Sequence, residues 1–177
     1  MGLADISLGL IFGELFYREF GNGYSLTFSV VGINNWHVFA IFFAILPDAD
    51  LLLQRKDSNH RSSLLHRPLF CYLLIVLPVA FYSVPLLLLS FWCLTWHYVH
   101  DSLDSSGVMW LWPFNNYYYQ LFDRDHGFCL IKKRDEVEFS QTALTLDQVI
   151  AKDYSSLTPQ VLFAIILFLI AMALLIL

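Results

Sequence analysis

The stretch from Pro68 to Trp96 constrains this chain most: almost thirty residues, nearly all apolar, with no Asp, Glu, Lys, Arg or His. One bilayer crossing needs roughly 20 such residues, so the run is too long for a single simple span. Tyr82-Ser83 and Val84-Pro85 offer a break inside it, because the residue before a proline disfavours helix. The pattern predicts two antiparallel helices over 64–82 and 85–104, the first kinked by Pro78.

The rest of the sequence agrees with a membrane setting. The tail Val161–Leu177 is uninterrupted apolar sequence, and Thr158-Pro159 just before it is a reasonable helix start. Composition points the same way, at 58% hydrophobic and 14% charged, against about 25% charged in ordinary soluble domains. The stretch "NNWHVFAIFFAILPDAD" reads as a short apolar helix ending near Leu46-Pro47. Residues 4–20 read as a less hydrophobic first helix, closed by Gly21-Asn22-Gly23. That N-terminal stretch lacks a basic leading segment and carries Asp5 and Glu14, so it reads as a retained helix rather than a signal peptide. The fold class expected is therefore all-α, a multi-pass transmembrane bundle of four to five helices. Its parts are a helical core over 1–114, a cytoplasmic loop region over 115–158 and a C-terminal transmembrane helix over 159–177.

In an up-and-down bundle, one side would hold nine of the ten basic residues, and only Arg18 would lie opposite. By the positive-inside rule that side faces the cytoplasm. Within the loop region, 128–140 reads as two strands around a charged turn, and 145–154 as a helix opened by a Thr145/Gln148 capping box. Tyr117, Tyr118 and Tyr119, with Trp110 and Trp112, read as an interfacial aromatic belt. Cys71, Cys93 and Cys129 form no CxxC pair and imply no disulfide framework. No basic stripe suggests nucleic-acid binding.

The apolar run ends abruptly in "WHYVHDSLDSSGVMWLWPF", with His97, His100, Asp101 and Asp104 inside eight positions. On a helix these four fall within an arc of about 100°, and His97–Asp101 and His100–Asp104 are i, i+4 pairs. A polar helix end meeting water would account for one such cluster. The other helix ends on the same rim change the reading. They bring Asp48 and Asp50 from "LPDAD", His60 and His66 from "HRSSLLHRP", and Asp5 from the first helix. Imidazole and carboxylate without thiolate suit a zinc, manganese or iron centre of hydrolytic type. Such an ion acidifies bound water and polarises the bond under attack. Arg61 and Arg67 flank the histidines and could hold an anionic substrate, or anchor the helix at lipid headgroups. His37 reads as a core histidine with a local partner, and His126 as an exposed turn residue.

Five elements in order resemble a known family: Leu46-Pro47-Asp48-Ala49-Asp50; His60-Arg61 with His66; His97-x-x-x-Asp101; Gly107; and Leu111-Trp112-Pro113-Phe114. They are similar to the membrane-bound, metal-dependent hydrolases that include the LexA-binding, inner-membrane-associated hydrolases of bacteria. The block covers roughly residues 46–114. Where that family commonly has an N-terminal histidine this chain has Asp5, and Asp104 and His100 align as peripheral positions. The resemblance implies hydrolase chemistry and a place in the cytoplasmic (inner) membrane of a prokaryote.

The expected ligands are Asp48, Asp50, His60, His66, His97 and Asp101 around a divalent ion, zinc or manganese. Asp50 or Asp104 would serve as general base. Arg61 and Arg67 would hold substrate, and an ester or phosphoester of a lipid-associated molecule would suit a site at the headgroup plane. Two other functions compete. One is a metal-ion or proton-coupled transporter, which would place ionisable groups nearer the bilayer midplane. The other is a non-catalytic anchor that docks a soluble regulator through 115–158.

Overall fold

The computed structural model describes residues 2–21, 29–30, 33–52, 63–103, 107–123, 127–134 and 159–176. Helix α1, Gly2–Phe20, carries Asp5 in its first turn and Arg18 in its last, each complementing the helix dipole. A two-residue ladder, β1 Ser29–Val30 with β2 Ile33–Asn34, leads into α2, Asn35–Ile45. The α2 start is specified locally. The Asn34 side chain accepts from the backbone N–H groups of Trp36 and His37, while His37 Nδ1 accepts from Asn34 N–H at 3.2 Å.

Helix α2 ends at Ile45, at the expected Leu46-Pro47 boundary. The chain tightens into a 3-10 helix, Leu46–Leu52, and carries Asp48 onward. A 3-10 turn, Leu64–His66, and an extended Arg67 precede Pro68. From there Pro68–Cys71, Tyr72–Val76 and Leu77–Val79 run on as one helix, α3, shorter than the expected 64–82. Its middle turn is widened, so that Leu77 N–H reaches back to Tyr72 C=O. Pro78 explains the irregularity: it has no N–H to donate, and its ring would collide with the carbonyl four residues back in a regular helix. Helix α4, Val84–Leu103, matches the expected 85–104, and α5, Pro159–Ile176, starts where Thr158-Pro159 suggests.

Three side-by-side pairings set the topology. Gly9 of α1 lies against Ile41 of α2 and Gly13 against His37, so these helices are antiparallel. A Cβ at Gly13 would stand 2.7 Å from the His37 Cα, and one at Gly9 would stand 2.9 Å from the Ile41 Cα. Only glycine allows this backbone approach. Ala44 near the end of α2 meets His97 near the end of α4, and Arg18 at the end of α1 meets Leu174 at the end of α5. One rim therefore gathers the start of α1, the end of α2, the start of α3 and the end of α4. Trp36, Ala40, Phe43, Leu89, Leu94 and Tyr98 fill the core between the rims.

Among the described residues no helix is long and apolar enough to cross a membrane. Charged Asp5, Glu14, Arg18 and Glu19 interrupt α1, and α2 has 11 residues. In α4, His97, His100 and Asp101 occupy the last turns. Helix α5 has 18 residues, about 27 Å at 1.5 Å per residue, against a hydrocarbon core of roughly 30 Å. The expectation that each of these helices crosses is thus not supported by their lengths.

The loop region also differs from expectation. The strand expected from residue 128 exists as β4, Gly127–Arg134, but it pairs with the preceding β3, Tyr118–Asp123. Residues 135–140 and 145–154, expected as a second strand and a helix, lie outside the described residues. Tyr118 is buried and belongs to a small core with Met109, while Tyr117 is exposed, so the tyrosine run is not one interfacial belt. Cys71 and Cys93 are free and buried, consistent with their apolar surroundings.

Candidate metal centre

Three segments deliver four side chains to the shared rim. The 3-10 helix after α2 places Asp48, and the turn before α3 places buried His66. The His66 turn is held from both sides: Tyr98 Oη donates to Leu65 O at 2.8 Å, and Cys71 Sγ donates to the same carbonyl at 3.4 Å. On α4, His97 and Asp101 stand one turn apart, both buried. Trp110 Nε1 donates to Ser102 Oγ, and Ser102 Oγ donates to Tyr98 O, which ties the segment after Gly107 to this end of α4. Gly107 has φ of 73°, and a Cβ there would meet Tyr119 O at 2.9 Å, so glycine is required twice over.

The side chains converge closely. One ligand atom each from Asp48, His66 and His97 lies within 4.8 Å of the others. His66 Nε2 is 3.6 Å from Asp48 Oδ1 and 3.5 Å from Asp101 Oδ2. His97 Nε2 is 3.7 Å from Asp48 Oδ1 and 3.4 Å from Asp101 Oδ2. These separations exceed ordinary hydrogen bonds of about 2.7–3.2 Å. Donors placed tetrahedrally at about 2.0–2.2 Å around a zinc-sized ion stand roughly 3.3–3.6 Å apart. The four imidazole–carboxylate separations are thus close to those of neighbouring ligands around one ion, and the donors that all lie near one another are those of Asp48, His66 and His97.

The orientation of His97 supports the same reading. Its Nδ1 lies 2.8 Å from Ala44 O, which can only accept, so Nδ1 carries the hydrogen. Its Nε2 is buried and has no hydrogen-bond partner among the described residues. An orphaned buried nitrogen facing two carboxylates and a second imidazole is what an absent cation would leave. Ser63 Oγ stands 3.4 Å from His66 Nδ1, on the far side of that ring from the cluster. For Asp48, burial alone would raise the carboxyl. The polar contact with His66 and the charge of His97 outweigh it and hold the group below the ordinary carboxylate range.

Asp5 completes the surroundings from α1. Its Oδ1 lies 3.2 Å from His100 Nδ1 and 3.8 Å from His97 Nδ1, on the opposite side of His97 from the ligand cluster. His100 therefore partners Asp5 and is not in the cluster. Arg67 is half-buried with its guanidinium carbon 4.2 Å over the Trp112 ring, at the edge of the rim. Asp50 lies in the same 3-10 helix as Asp48, and its side chain is outside the described residues. His60, Arg61, Asp104 and His126 also lie outside them. His37 has the local partners expected of it: Nε2 donates to Glu14 Oε2 at 3.0 Å, and Arg18 Nε donates to Glu14 Oε1 at 2.6 Å.

Sequence reasoning missed the Ala44 carbonyl, because a backbone acceptor leaves no trace in residue identity. It also missed the Gly9-x-x-x-Gly13 contact, although that spacing was available to find. No curated protein and no solved structure matches the chain. A bundle whose outer faces carry Phe42, Leu74, Phe91 and Leu169 exposed, with ionisable groups drawn to its rims, suits a membrane setting. A family model agrees over residues 3–177, and the chain belongs to the YdjM inner membrane protein family.

Proposed function

We propose that this chain is a metal-dependent hydrolase of the inner membrane, acting on an ester or phosphoester of a lipid-associated substrate. The observation that carries the reading is the spacing of Asp48, His66 and His97 around a common point, with His97 Nε2 left open to it. Asp48, His66, His97 and Asp101 would hold a divalent ion, zinc or manganese by donor chemistry. Such an ion supplies acidified water and a Lewis acid at neutral pH. Asp5 and the Ala44 carbonyl fix the His97 ring, and the Trp112-stacked Arg67 supplies a cation at the rim for an anionic group. Asp50 and Asp104 remain the candidates for general base. The site faces the cytoplasm in this reading, as the basic residues of the flanking loops suggest.

The test is metal analysis of protein purified without chelator, beside Asp48→Asn, His66→Gln and His97→Gln variants. Near-stoichiometric zinc or manganese is expected in the parent and a loss of more than about a hundredfold in affinity in each variant. Removing a donor outright should exceed the roughly 10–100-fold cost of losing an outer partner. A parent protein without bound transition metal would end the reading. Metal without turnover of ester, thioester or phosphoester lipids would leave a structural site on a membrane anchor instead.

A further inference from the structure

We propose that the bundle crosses the bilayer with an apolar belt only about 20 Å tall at helical rise, and that the lipid thins around it to match. Its preferred surroundings are therefore lipids with short acyl chains. The inference rests on membership of the inner membrane family and does not depend on the metal reading. Among the described residues no helix is long and apolar enough to cross a membrane, so it is the membrane that adjusts.

Polar groups close the helices at the same two levels. On α1, Asp5 marks the metal-site rim and Arg18 the opposite one, about 20 Å apart at 1.5 Å per residue. The path from Arg67 to Tyr82 along α3 is about 22 Å, and from the Ser83 turn to His97 along α4 about 21 Å. Helix α5 gives an independent check. Arg18 at the end of α1 reaches Leu174 O near the end of α5 at 3.0 Å, and Pro159 opens α5 about 22 Å away. Helix α2 is shorter still, with 11 residues. Between the two levels the outward faces are apolar on every helix. Leu15 on α1, Phe42 on α2, Leu74 on α3, Leu88 on α4 and Leu169 on α5 are all exposed.

Both ends of this belt need water. Opposite the metal centre, Arg18 and Glu19 are exposed, and Glu14 accepts from Arg18 and His37. The turn between α3 and α4 lies at the same rim. It leaves Val84 N–H and the Ala80, Phe81 and Tyr82 carbonyls without a partner among the described hydrogen bonds. A bundle seated in one leaflet would strand all of these in hydrocarbon, where charges and unpaired backbone groups are costly. The other rim, with Asp48, His66 and His97, makes the same demand. Polar ends about 20 Å apart therefore meet a hydrocarbon core of roughly 30 Å. Tilting a short helix only lowers its reach. Arg18 is held by Glu14 and Leu174 O rather than free to stretch outward. Compression of the lipid is the softest response left.

The test reconstitutes the unaltered protein in vesicles of monounsaturated phosphatidylcholines whose chains run from about 14 to about 22 carbons, and follows unfolding by circular dichroism. The melting temperature should be highest in the shortest chains and fall with each lengthening. Brominated lipids of the same series should quench Trp92, exposed on α4, with short chains favoured several-fold over long ones in mixtures. A melting temperature that peaks at about 18 carbons or beyond, or ignores chain length, would overturn the proposal. A second measurement checks that both ends reach water. Tyr82→Cys and Asn116→Cys, each in a Cys129→Ser background, are treated with a membrane-impermeant maleimide in spheroplasts and in inside-out vesicles. Cys71 and Cys93 are buried and should stay silent. The two positions should label from opposite faces. Labelling from the same face, or none at position 82, would overturn the proposal by placing the bundle in one leaflet. Metal content is no readout here, so either failure leaves the metal reading untouched.

Discussion

His97 Nδ1 lies 2.8 Å from the carbonyl oxygen of Ala44, so the last turn of α2 dictates which nitrogen of a buried imidazole carries its hydrogen. Because the carbonyl accepts only, Nδ1 carries its hydrogen whatever the charge of the ring. Burial disfavours the charged ring, but the Asp101 and Asp48 carboxylates facing Nε2 raise it to about 9, so that without metal Nε2 is protonated as well. Nitrogen-15 NMR of the histidine rings should therefore report a protonated Nδ1 for His97. Added zinc should shift the Nε2 resonance and leave Nδ1 protonated. Zinc-dependent loss of the Nδ1 proton would contradict this arrangement.

Asp5 acts on the site without entering it. Its carboxylate reaches His100 at 3.2 Å and His97 Nδ1 at 3.8 Å, while its side chain is almost fully buried. A negative charge behind a ligating imidazole strengthens its hold on a cation and fixes the ring. Asp5→Asn should reduce zinc affinity by roughly 10–100-fold with little change in melting temperature of the metal-free protein. Competition with a fluorescent chelator measures it. An unchanged affinity would remove Asp5 from the site.

The depressed Asp48 carboxyl makes the metal-free protein acid-sensitive in a specific direction. A carboxylate held below its unfolded range contributes stability at higher pH and loses that contribution as pH falls through its folded value. The Asp48 share should be intact at neutral pH and begin to shrink as pH drops below the ordinary range near about 4. Melting curves of chelator-treated protein from pH 7 to pH 3 should fall more steeply for the parent than for Asp48→Asn. Parallel curves would show that His66 and His97 do not hold the Asp48 charge as described.

The contact between α1 and α2 is a packing device with a measurable cost of disruption. Gly13→Ala would push a methyl to 2.7 Å from the His37 Cα, and Gly9→Ala to 2.9 Å from the Ile41 Cα. Both neighbours are backbone and cannot rotate away. Overpacking of this kind costs about 1–3 kcal/mol, which lowers the melting temperature by roughly 2–12 °C for a chain of this size. Gly2→Ala, with nothing within 4 Å of the added methyl, is the control and should be neutral. If all three variants melt alike, the helices are not in backbone contact.

What the sequence disclosed follows the range of the forces involved. Helix positions came from apolar runs and proline breaks, so α1, α4 and α5 were legible to within a few residues. The convergence of Asp48, His66, His97 and Asp101 was legible because an up-and-down topology sends alternate helix ends to one rim. The partner of β4 was not, because strand pairing is a long-range choice, and "EVEF" and "YYQLF" both offer a strand pattern. The shortness of α3, Pro68–Val79 against an expected 64–82, was hidden too. Its composition suits a full span, and the extended Arg67 that delays its start leaves no mark in the apolar pattern. The acceptor on Ala44 was invisible, since every residue carries a carbonyl.

At the rim opposite the metal centre, Glu14 joins three helices through two charge-assisted hydrogen bonds. It accepts from His37 Nε2 at 3.0 Å and from Arg18 Nε at 2.6 Å, and Arg18 reaches on to Leu174 O at 3.0 Å. His37 is fully buried, and its Nδ1 already accepts from Asn34 N–H, so Nε2 is the donor and Glu14 its acceptor. Glu14→Ala would strand that N–H in the core, at a cost of about 1–3 kcal/mol. It would also release Arg18 and loosen the last turn of α5. The variant should therefore melt several degrees lower, by about 2–12 °C. Amide exchange should quicken over residues 170–176, while zinc affinity stays at the parent value because Asp5, His66 and His97 lie at the other end of the bundle. A matching loss of zinc affinity would mean that the two rims are energetically coupled, against the separation the geometry describes.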